Sequence, residues 1–431
     1  MKFVMLFLVF AFTVQSALGQ DEIKATAQAS FQRDIEKLAN QKNMQDAFSI
    51  IDALEPTTRK DLIELTEIPA PPFMEQRRAE RFKQMLQEAG ADKVWIDEVG
   101  NVLALRKGKD NRRTVVLNAH IDTVFPEETD VTVKFGGDTL FAPGIGDDTR
   151  GLAMVLAVLR AMNKSDIKTT SNVLLIGTVG EEGPGDLRGV KHLFQKNDPK
   201  IDSWISIDGG EIGRINNQAL GSVRYKVTFK GPGGHSWSAF GLGNPHHAAG
   251  KAIAYFDQAA GAYTSSGPKT SYNIGRVGGG TSINAIPFES WMEVDLRSVS
   301  PERLKTIEQI LYHEVNRALA DYNKTIKQGP LLTVTIIKIG DRPSGELPEV
   351  LPLIQRSLAA TVFFKAEPYL TRGSTDSNIP ISMGIPAVTI GRGGKGGGAH
   401  SLDEWWMNDK SGPDSIKLAL LILIAEGGLE K

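Results

Sequence analysis

Several imidazoles and carboxylates of this chain follow directly on apolar runs or sit inside glycine turns, where a strand end or a turn would deliver them to a crevice. Residues 115–122 read Val-Val-Leu-Asn-Ala-His-Ile-Asp, so His120 and Asp122 share one face of a predicted strand. An imidazole that binds a metal through one nitrogen needs a partner for the other, and a carboxylate two residues on can be that partner. His-x-Asp alone is a common coincidence. Asp147 and Asp148 close the turn Gly-Ile-Gly-Asp-Asp ahead of a helical pattern, and adjacent acids there are ordinarily N-caps, the favoured reading for Asp148. Glu181 and Glu182 end an apolar run. Such a pair can be plain surface charge, but the strand and the flanking glycines push both toward a crevice, where one could bind metal and the other move protons. Asp208 tips the run 203–207, and His400 lies in Gly-Gly-Gly-Ala-His-Ser. The chain has no cysteine, so any metal must sit on His, Asp or Glu, and ligand positions of this kind are what a pair of borderline cations such as zinc needs.

These groups need elements to position them. Helical spacing is predicted over 31–54, 58–65 and 75–89, and strands over 94–98, 102–106 and 114–118. A helix over 151–162 and strands over 172–178 and 203–207 continue the alternation of an α/β domain with a mainly parallel sheet and flanking helices. From residue 221 the pattern becomes strand 223–229, helix 245–260, strands 271–277 and 291–297, helix 301–322 and strand 332–339. That β-α-β-β-α-β order predicts a compact ferredoxin-like α+β insertion. After residue 342 the α/β character returns, with helices near 351–362 and 413–425 around a strand at 386–390. The expected organisation is a leader at 1–19, a first catalytic part at 20–220, an inserted domain at 221–342 and a second catalytic part at 343–431.

The leader rests on a basic start at Lys2, an almost wholly apolar run over 3–14, and small residues at Ser16, Ala17 and Gly19. An apolar run of about a dozen residues is too short to span a bilayer comfortably. A secreted or periplasmic mature chain, cleaved near Gly19 and free of the membrane, is the expectation. Composition fits a soluble globular protein: 41% hydrophobic and 23% charged over 431 residues, with a formal net charge of -2. No block of like charges recommends nucleic acid as a partner.

The ordered set His120-x-Asp122, Gly-x-Gly-Asp147-Asp148, Glu181-Glu182, Asp208 and Gly-Ala-His400-Ser resembles the zinc metallopeptidase family of peptidase T, carboxypeptidase G, carnosinase and aminoacylase. The resemblance runs from about Thr58 onward. It implies two zinc ions per subunit, with cobalt or manganese as substitutes. His120 and Asp208 would hold one ion, Glu182 and His400 the other, and Asp147 would bridge. Asp122 would orient His120, and Glu181 would be the general base. In the inserted domain, Gly-Pro-Gly-Gly-His235-Ser resembles the family's lid histidine that reaches a partner subunit's active site, which implies a homodimer through the lid. Asn284 and Arg297 resemble its substrate contacts, and Arg297 could pair with a substrate carboxylate or form a salt bridge within the lid. The loop 372–376 resembles one that lines the pocket. Thr149-Arg150 departs from the family, which often has Lys after the paired Asp, and His192, His246, His247 and His313 match none of its motifs.

The implied reaction is hydrolysis of amide bonds in short peptides. An Asp at position 208 tips the expectation toward an aminopeptidase or di/tripeptidase acting on free amino termini, with an N-acyl amino acid deacylase or carboxypeptidase as the alternative. Two further rivals are a non-catalytic peptide receptor on the same fold and a dinucleotide enzyme. The latter rests on Gly391-Arg-Gly-Gly-Lys-Gly396, which satisfies G-x-G-x-x-G but runs straight into His400 and Asp403 rather than into a helix.

Overall fold

The computed structural model describes residues 22–430, so the expected leader lies outside the described residues. Four strands, Ala387–Ile390, Ser203–Ile207, Thr114–His120 and Asn172–Thr178, pair in that order in parallel and form the centre of a ten-stranded sheet. Every residue of these strands is buried, as continuous apolar runs covered on both faces require. Antiparallel Val102–Arg106 and Lys93–Ile96 extend one flank. Arg214–Ala219, Tyr369–Gly373 and Ile23–Lys24 extend the other, with Gly345–Glu346 paired to Arg214–Ala219. The helix Thr149–Lys164 is buried along nearly its whole length, in keeping with its Ala- and Leu-rich sequence, and packs against the central strands together with Ser411–Gly427. The α/β expectation with a sheet parallel at its centre therefore holds.

Residues 221–342 build a second sheet, in the order Thr270–Gly279, Glu289–Ser298, Gly221–Lys230, Thr333–Arg342, antiparallel throughout. Burial alternates residue by residue along Glu289–Ser298. The inward set Met292, Val294 and Leu296 joins Val223, Val227 and Phe229 in a core closed by Phe256, Ile307 and Leu311 of the helices Pro245–Thr264 and Pro301–Asn323. This core is distinct from that of the large sheet.

Three departures from expectation bear on the fold, the site or its rivals. The helix expected over 31–54 is two, Ala29–Ala39 and Lys42–Ala53, because Gln41 is extended and Asn40 closes the first. Arg214–Ala219 was not anticipated as a strand, since Asn216, Asn217 and Gln218 give it no apolar signature. Lys395–Gly397 is a strand paired with Trp405–Met407, so the glycine pattern at 391–396 opens no helix and the dinucleotide reading falls.

Candidate metal centre

Register brings the candidate residues together. His120 pairs with Thr178 across neighbouring parallel strands, which puts Glu181 and Glu182 a turn beyond the histidine. Asp208 follows a strand flanked by 114–120 on one side and 387–390 on the other, and its N–H donates to the Ile390 carbonyl at 3.1 Å. All these groups emerge at the carboxyl ends of the strands, where an open α/β sheet makes its crevice.

The imidazole Nε2 of His120 lies 3.0 Å from Asp147 Oδ1. The Nε2 of His400 lies 2.8 Å from Glu182 Oε1 and 3.3 Å from Asp147 Oδ2. His400 stands at φ 65°, in the left-handed region that non-glycine residues seldom enter, a strain typical of functional turns. Ligand atoms of His120, Asp147 and Asp208 fall within 4.8 Å of one another, as do those of Asp147, Glu182 and His400. Asp147 belongs to both groups, the position a bridging carboxylate must have. One imidazole with carboxylates in each group fits a borderline divalent cation, so the residues present suit a two-metal site.

Electrostatics agree. Burial works against the charge of Asp147, but hydrogen bonds from His120 and His400 outweigh it and hold its carboxyl well below the usual range. The hydrogen bonds of His400 with Asp147 and then Glu182 raise its imidazole to about 10. Burial, with Asp147 adding repulsion, pushes Asp208 up to about 6.

Glu181 is 4% exposed. Burial raises its carboxyl well above the ordinary value, Arg342 opposes the shift, and Glu182 reinforces it. The Arg342 guanidinium donates to Glu181 Oε1 at 3.1 Å, to the Glu181 carbonyl, and to Ser374 Oγ at 3.1 Å. Sequence reasoning missed this residue. Its only signal was a basic side chain at the end of the last small-sheet strand, just ahead of Pro343. Glu404 was missed too, and nothing in its surroundings in the sequence marks it. Its carboxylate accepts the N–H groups of Gly144, Gly146 and Asp147 at 2.7–2.9 Å and so fixes the turn that presents Asp147.

Other expectations need correction. The His120 Nδ1 faces the main-chain carbonyl of Asp122 at 2.9 Å, and the Asp122 carboxylate is 3.8 Å away. That carboxylate instead accepts the N–H groups of Glu181 and Glu182 at 2.9 and 2.8 Å, so Asp122 fixes both glutamates through its carboxylate and the histidine through its carbonyl. Asp148 occupies the N-cap position without a capping bond, and its side chain accepts the His120 N–H at 3.2 Å. Arg297 both lines the cleft and pairs with Asp295 at 2.8 Å. In the loop 372–376, Ser374 and Thr375 line the cleft, while Asp376 is buried beneath it and accepts from Asn118. His235 and Asn284 are exposed and do not line the cleft.

An α/β sheet that gathers two sets of possible metal ligands around one shared carboxylate at its strand ends suits a metal-dependent hydrolase. The chain belongs to the peptidase family M20/M25/M40, whose model matches residues 116–424. It is 28% identical over 305 residues to the cytosol non-specific dipeptidase of Escherichia coli, covering 61% of this chain and 58% of that one. A tripeptidase from Staphylococcus aureus superposes with a TM-score of 0.68 at 21% identity, over 86% of this chain and 98% of the other. A dinuclear metal-binding peptidase from Bacillus subtilis does so with a TM-score of 0.61 at 17% identity, over 87% and 99%.

Proposed function

We propose that this protein is an exported di-zinc amide hydrolase of short peptides and related N-acyl amino acids, with Glu181 as general base. The observation that carries the reading is the buried Glu181 carboxylate, held by Arg342 beside a cluster in which one Asp147 serves two ligand groups. Two cations bound there would supply Lewis acidity and lower the proton affinity of the attacking water. Glu181 accepts the proton of that water and returns it to the leaving nitrogen. Its raised proton affinity suits both halves of the transfer, and Arg342 keeps the carboxylate aimed. Arg297, on the wall of the cleft, is placed to take a substrate carboxylate.

The test is turnover of the zinc-loaded chain on a free tripeptide, its N-acetylated form and an N-acyl amino acid. Glu181→Gln should lower kcat by about 10³-fold on whichever is cleaved and leave metal content unchanged. A variant as fast as the wild type would remove Glu181 from the chemistry, and a chain with neither turnover nor metal would revive the receptor reading.

We further propose a homodimer. The segment that carries His235 and Asn284 also exposes Trp237, Phe240 and Ile283, at 86%, 78% and 103% of their full areas. Apolar exposure of that size beside polar residues with no substrate in reach supports a second copy of the chain as the cover. Export rests on the N-terminal sequence, and N-terminal sequencing of the mature product checks it: a chain that retains Met1 ends that part of the proposal.

A further inference from the structure

The cleft of about 640 Å³ is lined by Arg214, Arg224, Arg297, Arg342 and Arg392. It is also lined by the carboxylates of Asp147, Glu182 and Asp208, which belong to the two metal-ligand groups, and by that of Glu181, which Arg342 holds. With cations bound, those acids are engaged and the arginines dominate the wall.

The arginines form two groups. Arg392, just past the strand Ala387–Ile390, is 7% exposed, leaves Nε without a hydrogen-bond partner and makes no ion pair among the described residues. Arg214 donates to the Asp208 carbonyl at 2.9 Å and likewise makes no ion pair with a described carboxylate. A side chain begun at Gly209 would start 3.3 Å from Nη1 of both, so the two guanidiniums converge on one point. Asp147 and Asp208 oppose these two like charges across the cleft, so once cations engage those acids an anion between the guanidiniums restores the balance. The second group stands on the Glu181 side. Arg342 meets Glu181 and Ser374, and Arg224 donates to the Gly183 carbonyl at 3.1 Å. Arg224 and Arg297 share the single carboxylate of Asp295 at 3.1 and 2.8 Å. Arg297 engages only its Nε there, which leaves its terminal nitrogens for a ligand.

We propose that the preferred substrate is an amide with an anion on each side of the scissile bond, one carboxylate held by Arg214 with Arg392 and the other by Arg297. The proposal rests on the hydrolase reading above and names its substrate class: amino acids acylated by a dicarboxylic acid. It also weighs against a free amino terminus as the recognised group, since no carboxylate of the cleft lining remains to receive an ammonium.

The test uses amides of alanine with the zinc-loaded protein. Glutaryl-alanine carries both anions, pentanoyl-alanine and glutaryl-alaninamide carry one each, and alanyl-alanine presents an ammonium instead. Glutaryl-alanine should exceed each single-anion amide in kcat/KM by about tenfold or more, the effect of one charge-assisted pair. Arg214→Gln and Arg297→Gln should each erase the preference for one carboxylate, and for different ones. Arg214 is chosen over the buried Arg392 because its loss leaves no cavity in the core, and an unchanged thermal midpoint checks the fold. Equal rates for charged and neutral acyl groups, or alanyl-alanine as the better substrate, would overturn the proposal and leave the hydrolase intact. Calorimetry on zinc-loaded Glu181→Gln separates the two readings. Tighter binding of glutaryl-alanine than of pentanoyl-alanine, lost with Arg214→Gln, would uphold the anion sites even if no amide were hydrolysed, and that absence of turnover would then sink only the hydrolase.

Discussion

At the carboxyl ends of the central strands of the large sheet, His120, Asp147, Glu181, Glu182 and Asp208 converge into one cluster, and none of them is more than partly exposed. Within residues 221–342, His235 lies in, and Asn284 just before, a separate two-residue ladder, Gly234–His235 paired with Ala285–Ile286, and both face solvent. Parallel strands buried on both faces fix where their ends point, so the first set arrives already assembled. A ladder of two residues fixes little, and the Nδ1 of His235 does no more than accept the N–H of Trp237 at 3.2 Å. The large sheet thus completes its cluster within one chain, whereas His235 and Asn284 remain facing solvent.

The largest effect should come from breaking the large-sheet cluster at its shared member. Asp147→Ala removes a ligand from both groups and should abolish activity and bring bound zinc from two ions per chain to nearly none. His400→Ala touches one group only. Elemental analysis of the purified variants checks both: His400→Ala should retain the ion at His120 and Asp208, and equal losses in the two variants would show that Asp147 is not shared.

The small-sheet side predicts a loss without any change in metal. His235→Ala should lower kcat by about 10²-fold, the range of a single oxyanion donor, with zinc content as in the wild type. If His235 serves a partner's cleft, mixing His235→Ala with Glu181→Gln under exchange conditions should restore activity that neither has alone, because one cleft of the mixed dimer then has both residues intact. A monomer by light scattering with full activity, or no recovery on mixing, would confine His235 to its own chain.

The same contrast explains what could be read in advance. The cluster was legible because each member follows an apolar run or a glycine turn, so the local pattern carried both residue and direction. The small sheet was legible too, since alternation along 289–298 and two long helical patterns mark its faces. What escaped depends on contacts remote in sequence. Glu404 supports a turn some 260 residues away, and Arg392 and Arg214 acquire meaning only where they meet at Gly209. Asn216 to Gln218 form a buried strand through pairing alone, with the Asn217 amide donating to the Leu347 carbonyl at 2.8 Å. Asp122 was placed correctly at the histidine, but with its carboxylate and carbonyl in exchanged parts, because spacing fixes which residues meet and not which of their atoms.

Arg342 joins the two regions, for it ends a strand of the small sheet and reaches the base of the large one. Its smaller effect should therefore show in the pH dependence. Burial raises the proton affinity of Glu181 and Arg342 lowers it, so removing the guanidinium should raise that affinity further. The ionised base is then populated only at higher pH, and the acid limb of kcat/KM moves to higher pH. Arg342→Met should lose about tenfold at neutral pH, within the reach of a perturbed general base, and regain part of the loss in alkaline buffer. Arg342→Lys keeps the charge and should hold the limb near its wild-type position while giving up the paired contact to the Glu181 carbonyl. An acid limb that stays put in Arg342→Met would reduce the residue to a packing contact between the two sheets, and would leave burial and Glu182 as the groups that set the proton affinity of the base.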